Sequence, residues 1–329
     1  MSSTTNRYLD AEGRTDAELY LTDLYDGKVA ACREMRTLSE IMLPRIVEGY
    51  KWWHFDTEKA IRPVRFIERF CCYPEGEKMN QPFILEPFQR ASIELAYGFV
   101  NDDLLRQFRQ VLMSYARKNG KTSLLAGLNM YMLTSDGEMG AEVYNCATSK
   151  AQASKCFGAT DAMRLHSPLL SKRIRRGKVQ KRDTSGLNYD KNGSMLVALA
   201  ANVGKLDSLS ASFIVYDEMA AATDNGALLD QMEESTSARK QPLTWIISTE
   251  NYVRDNIWDE RMAYARGWLR GEIEDDTLLP LIYKLDSRDE IADEAMWIKA
   301  NPGIDTIKER DALRHRVNLA RQSDRKSVV

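Results

Sequence analysis

Val111-Leu-Met-Ser-Tyr-Ala-Arg-Lys-Asn-Gly-Lys-Thr-Ser-Leu-Leu125 reads as a short apolar strand, a polar loop ending in Gly120-Lys121-Thr122, and the start of a helix. Phosphate binding needs that order. A loop of exposed backbone N–H groups feeding a helix N-terminus presents donors and the positive end of the helix dipole to an anion. Ala116, Arg117, Lys118, Asn119, Gly120, Lys121, Thr122 and Ser123 are then the expected nucleotide-binding residues, with Lys121 reaching the β- and γ-phosphates and Thr122 a ligand of Mg²⁺. One feature departs from GxxxxGK[ST]: Tyr115 stands where the first glycine belongs. Gly-Lys-Thr by itself also begins ordinary surface helices, so the surrounding chain has to decide.

Working outward, Gln110–Ser114, Ala141–Cys146, Ser212–Tyr216 and Leu243–Ile247 read as buried strands, and Leu124–Leu133, Ala151–Leu165 and Leu228–Ser237 as helices between them. That alternation predicts an α/β fold, a mostly parallel central sheet flanked by helices. Tyr189-Asp-Lys-Asn-Gly-Ser194 reads as a hairpin turn. Residues 1–75 carry helical spacing (Leu19, Leu24, Ile41, Trp53, Ile61, Phe66) and predict a helical amino-terminal segment. The turn-rich stretch 73–82 marks a boundary, a P-loop α/β core is expected over 76–255, and 256–329 returns to helical spacing as a linker or subdomain.

Ser212-Phe-Ile-Val-Tyr-Asp217-Glu218 places two acids at the carboxyl end of a strand, where an open α/β sheet binds its ligand. Asp217 is the expected holder of Mg²⁺ and Glu218 the base that polarises the attacking water. Pro82-Phe-Ile-Leu-Glu-Pro-Phe88-Gln89-Arg90 precedes the loop. Gln89 suits the edge of adenine with Phe88 packed nearby, although Phe88 fits a core position after a helix-starting proline equally well. Leu243–Glu250 is a strand ending in hydroxyls, Ser248 and Thr249, suited to sensing the γ-phosphate.

The 329 residues hold 46 Lys and Arg against 48 Asp and Glu, a formal net charge of −2, so a nucleic-acid partner has to be met by a local patch. Lys172-Arg-Ile-Arg-Arg-Gly-Lys-Val-Gln-Lys-Arg182 is such a patch, seven basic residues in eleven. Its expected DNA contacts are Lys172, Arg173, Arg175, Arg176, Lys178, Lys181 and Arg182, made to phosphates without sequence reading. A solvated basic loop is the other reading. Five cysteines without CxxC spacing and three scattered histidines indicate neither a disulfide framework nor a zinc site, and no run of about 18 apolar residues occurs.

These residues together resemble the large terminase subunit of tailed double-stranded DNA phages, over roughly residues 50–325. The most specific element is Ala116-Arg-Lys-Asn-Gly-Lys-Thr122, because that family tolerates loss of the first glycine and carries a basic residue where Arg117 stands. The resemblance implies an ATP-hydrolysing, Mg²⁺-dependent P-loop motor that drives DNA into a procapsid. It makes Phe88-Gln89 the adenine motif, Asp217-Glu218 the Walker B pair with its catalytic glutamate, and Ser248-Thr249 the coupling motif. Lys121 and Glu218 are then catalytic, with Arg117 as the arginine at the γ-phosphate, unless a neighbouring subunit supplies one.

Ala147–Lys155 resembles the segment after the family's second strand, and Arg239 sits where the family usually has a basic residue. Implied partners are double-stranded DNA, the portal and procapsid, the small terminase subunit and further copies in a ring, in the host cell cytoplasm with no membrane. The family usually continues into a nuclease domain where this sequence stops, and the acids at 272–276, bunched in one stretch, read as a solvated face. No nuclease activity is therefore expected of these residues. A helicase-like translocase and an idle DNA-docking or assembly module are the alternatives.

Overall fold

The computed structural model describes residues 7–147, 149–179, 184–200, 209–222, 224, 226–249 and 256–322. In chain order the elements are α1 (Asp16–Tyr25), α2 (Arg33–Glu48), β1 (His54–Phe55), α3 (Thr57–Phe70), α4 (Pro87–Gly98), β2 (Phe99–Val100), β3 (Gln110–Ser114), α5 (Lys121–Thr134), β4 (Glu142–Ala147) and α6 (Lys150–His166). There follow α7 (Pro168–Arg173), β5 (Arg175–Lys178), β6 (Ser185–Tyr189), β7 (Ser194–Ala200), β8 (Phe213–Asp217), α8 (Ala227–Glu234), β9 (Leu243–Ser248), α9 (Ile257–Leu269), β10 (Leu278–Ile282) and α10 (Arg310–Gln322).

Eight strands form one sheet in the order β10-β3-β9-β8-β4-β7-β6-β5. Pairs from β10 to β7 are parallel, and β7-β6-β5 continue antiparallel as the hairpin arm predicted at Tyr189–Ser194. The parallel strands are apolar on both faces because helices cover both, and Val111, Val143, Ile214 and Ile246 are all fully buried. Since β3, β8 and β9 run the same way, the loop after Ser114, the acids at 217 and 218, and Ser248 emerge along one edge of the sheet.

The amino-terminal helices pack on this scaffold: α1 lies against α2 and α4, and α3 against α4 and α5. The α3–α5 approach is close because α5 offers Gly127 to Ile67, where a Cβ would stand 3.1 Å from the isoleucine. One apolar core runs from Leu21 through Tyr283, and a second, small core joins Trp297, Ile304, Leu313 and Val317. Within the carboxyl-terminal stretch read as helical, Leu278–Ile282 is a strand at the sheet edge, paired with β3 from Leu278↔Gln110 to Ile282↔Ser114. The basic stretch from 172, read as a loop, is the end of α7 followed by the edge strand β5.

Candidate functional site

The backbone of the loop after β3 turns at two places. Lys118 has φ 63° and Gly120 φ 77°, and both lie in the left-handed region. Tyr115 is not among the positive-φ residues, so the position that usually demands glycine makes no such demand here. Its ring goes down into the core instead, edge-on to Phe88 at 5.8 Å and to Tyr283 at 6.1 Å, while its carbonyl stays in the loop. Gly120 is required on two counts: besides its φ, a Cβ there would meet Gln89 Nε2 at 3.0 Å and Ile307 Cδ1 at 3.1 Å.

A cleft of about 540 Å³, in the range of ligand sites, opens over this loop. Arg117, Lys118, Gly120, Lys121, Thr122 and Ser123 line one wall, with Glu218 facing them. Tyr73, Phe83, Ile84, Glu86 and Gln89 form the upstream end, and Ile307 reaches in from the carboxyl-terminal segment. Gln89 is buried; its Oε1 accepts from the Glu86 backbone N–H at 3.0 Å, and its Nε2 is buried with no partner. The unpartnered amide nitrogen lies beside the loop, 3.0 Å from where a Cβ on Gly120 would stand.

Charge tells the same story. Burial pulls the Lys121 ammonium down to about 8, against the pull of Glu218 and Asp217. Burial, and then Glu218, push the Asp217 carboxyl up to about 6, while Lys121 draws it down. Lys121 and Asp217 therefore share a low-dielectric setting in which burial outweighs the pull each exerts on the other. Glu218 has a left-handed backbone (φ 57°), and its N–H donates to Ile247 O at 2.9 Å, which ties the acid to β9. Two residues on, Ala220 N donates to Ser248 Oγ at 3.0 Å, and Asn256 Nδ2 donates to Ala220 O at 3.1 Å. Thr249 Oγ1 is buried without a partner.

The structure thus brings together Gln89, Arg117, Lys118, Gly120, Lys121, Thr122, Ser123, Asp217 and Glu218. Three residues expected to bind nucleotide sit differently. Phe88 is a core residue that supports Tyr115 and Tyr283 from below. Ala116 N donates to Ala300 O at 3.0 Å, and the Asn119 side chain is wholly buried against residues 301 and 303.

Arg239 is far from the cleft: it donates to Ser210 O, Gly140 O and Glu138, bracing the opposite edge of the sheet. The acids at 272–276 meet neighbours of their own, Glu272 with Arg270 at 2.7 Å and Asp276 with Lys51 at 2.8 Å. In the basic stretch, Lys172, Arg173, Arg175, Arg176 and Lys178 are all exposed, with Arg175 paired to Asp190 and Arg176 to Asp161. Lys181 and Arg182 lie outside the described residues. Sequence reasoning missed Tyr73, Phe83, Ile84, Glu86 and Ile307. The first four stand just upstream of Gln89 and could have been read from that proximity, while nothing local marks Ile307.

A mostly parallel sheet with a phosphate-type loop on one strand end and paired acids on another is the layout of an α/β domain of the P-loop type. The family model "Terminase large subunit, ATPase domain" matches residues 87–267, more than half of the chain, and the chain belongs to that family. It is 25% identical over 279 residues to the large terminase subunit of Enterobacteria phage HK97, a stretch that covers 80% of this chain and 49% of the relative. A shorter match, 33% identical over 109 residues, joins 33% of the chain to 23% of Protein YmfN of Escherichia coli K12. The crystal structure of the HK97 large terminase superposes with TM-score 0.68 and 23% identity over 80% of this chain and 52% of that one, which supports the fold. The chain spans about half the length of the HK97 relative. No described helix is long and apolar enough to cross a membrane.

Proposed function

We propose that this chain is the ATP-hydrolysing motor part of a phage large terminase, and that it drives double-stranded DNA into a procapsid. One observation carries the reading: Lys121, Asp217 and Glu218 converge electrostatically at a cleft that also receives the partnerless Nε2 of Gln89. In phosphoryl transfer the protein mainly positions groups and stabilises charge.

Backbone N–H groups of the loop, backed by the α5 N-terminus, hold the phosphates, and Lys121 neutralises charge toward the γ-phosphate. Gln89 donates to the base, with Tyr73, Phe83 and Ile84 as its apolar surroundings. Glu218 orients the attacking water and accepts its proton. Arg117, exposed on the loop, supplies the cation at the γ-phosphate, a contribution on the order of 10³ in rate.

Thr122 and Asp217 are hard oxygen donors of the kind Mg²⁺ takes, and the raised Asp217 pKa marks a carboxylate short of cation. Bound there, Mg²⁺ supplies charge neutralisation on the phosphate oxygens. Ser248, held against the turn that follows Glu218, and Thr249 relay the state of the acid to β9. Lys172, Arg173, Arg175, Arg176, Lys178, Lys181 and Arg182 form the proposed DNA-facing patch. The portal, the small subunit and further copies in a ring complete the assembly in the host cytoplasm.

Calorimetry with Mg-ATP, together with phosphate release measured with and without DNA, tests the reading. Lys121→Ala should bind no nucleotide, and Glu218→Gln should bind ATP without turning it over. Normal turnover by Glu218→Gln removes the base assignment. A rate near zero for the native chain with DNA and procapsid present favours an idle docking module.

A further inference from the structure

The loop that would cradle the triphosphate is held in shape largely from outside itself. The side chain of Asn119 is wholly buried. Its Nδ2 donates to Ala116 O at 3.0 Å and to Asn301 Oδ1 at 3.2 Å, and its Oδ1 accepts from Gly303 N at 3.0 Å. Asn301, equally buried, donates to Trp297 O at 3.1 Å, and its Oδ1 accepts a second bond from Lys308 Nζ at 2.5 Å. Ala116 N finds its acceptor at Ala300 O, and Ile307 packs on Gly120.

With these bonds made, the Asn119 amide has little capacity left for a phosphate oxygen. The segment that supplies the partners is itself a tight turn: Ile307 N and Lys308 N both donate to Gly303 O. Lys308 is a buried ammonium facing the cations Lys118 and Arg316, so the Asn301 carbonyl oxygen is what makes its position tolerable.

We propose that Asn119, Asn301 and Lys308 are positioning residues that hold the phosphate loop in its nucleotide-receiving shape, so that nucleotide affinity is linked to docking of residues 300–308. The inference rests on the nucleotide reading of the cleft. Linkage makes the coupling reciprocal: whatever factor docking adds to affinity, bound nucleotide returns to docking. No side chain of the relay need touch the ligand.

The test uses the whole chain, Mg-ATP calorimetry, steady-state kinetics and amide hydrogen exchange over residues 300–308. Asn301→Ala removes the acceptor for Asn119 and Lys308 and the donor to Trp297 O, and should raise KM and Kd for ATP about tenfold or more, with a smaller change in kcat. Asn301→Asp keeps an acceptor for both Asn119 and Lys308 and should restore most of the affinity. Nucleotide should slow exchange at 300–308 in the native chain and lose that effect in Asn301→Ala.

If Asn301→Ala does not fold, Asn301→Leu serves in its place, since it keeps the side-chain volume, adds no charge and removes the acceptor for Asn119 and Lys308. Native affinity in a folded variant, or exchange at 300–308 indifferent to bound nucleotide, overturns the inference while leaving the nucleotide site intact. No heat from the native chain with Mg-ATP overturns the nucleotide reading and this inference with it.

Discussion

The ammonium of Lys121 donates to the carbonyl oxygen of Tyr115 at 2.9 Å and lies 4.9 Å from the centre of its ring. The residue that replaces the expected glycine therefore anchors the lysine through its main-chain carbonyl, while its buried ring packs beneath the ammonium. Tyr115→Gly, which restores the common motif, should not improve nucleotide binding. It should cost stability of roughly 3–5 kcal/mol, the usual penalty for deleting a buried aromatic ring. Urea unfolding measures the loss, and an unchanged midpoint would show that the ring carries no weight.

The fold was legible wherever a strand announced itself by β-branched or aromatic residues in a row. Phe213-Ile-Val-Tyr216 and Leu243-Thr-Trp-Ile-Ile247 needed no tertiary information. Leu278-Leu-Pro-Leu-Ile282 escaped because a proline inside an apolar run argues against a strand. Pro280 is tolerated because β10 is an edge strand, paired on one side alone, with Pro280 opposite Leu112. Arg175–Lys178 escaped for the opposite reason: its side chains carry charge rather than apolar surface, as exposed edges often do. In the site, residues inside a motif were legible even where topology brings them together, as with Lys121 and Glu218, whereas Phe83, Ile84 and Glu86 beside the Gln89 motif, and Ile307 from far along the chain, were not. Ile307 reaches the loop across 187 positions from Gly120 (307 − 120), and no periodicity encodes that meeting.

Nucleotide binding should have two pH limits. Binding a magnesium triphosphate needs Asp217 ionised and Lys121 protonated. Asp217 sits at about 6 and Lys121 at about 8, so kcat/KM should fall below the first and above the second. Lys121→Arg should remove the alkaline limit and keep the acidic one. A flat profile from pH 5 to 9 would mean that neither group titrates in the free protein.

Glu94 gives stability its own pH dependence. It is buried on α4, accepts from Ala17 N at 2.6 Å, and burial pushes its carboxyl up to about 8. A folded pKa above the unfolded value favours the protonated form in the fold. Its stabilising contribution is therefore complete below about 4.5 and is lost as pH rises through 8. Glu94→Gln mimics the protonated acid and keeps the acceptor for Ala17. It should melt higher than the native chain at pH 8 and lose the difference near pH 4; equal melting temperatures at pH 8 would contradict this.

Arg239→Ala should separate structure from chemistry. The guanidinium bonds four carbonyl or carboxylate groups at the sheet edge opposite the cleft, Ser210 O, Gly140 O and Glu138 each at 2.9 Å and Met139 O at 3.3 Å. Its removal should cost about 1–3 kcal/mol of stability and leave kcat and KM within about twofold. A selective loss of turnover would give Arg239 a part in hydrolysis that its position does not predict.

The strand that ends in the phosphate loop is flanked by β9 and β10, whose residues come more than a hundred positions later. During synthesis, residues 110–114 leave the ribosome with both backbone edges uncovered; β9 can cover one once Ser248 has followed, and the other waits for Ile282. A nascent chain interrupted before that point carries a bare apolar strand, prone to stick to its neighbours, rather than a partly working enzyme. The cradle is written early and completed late.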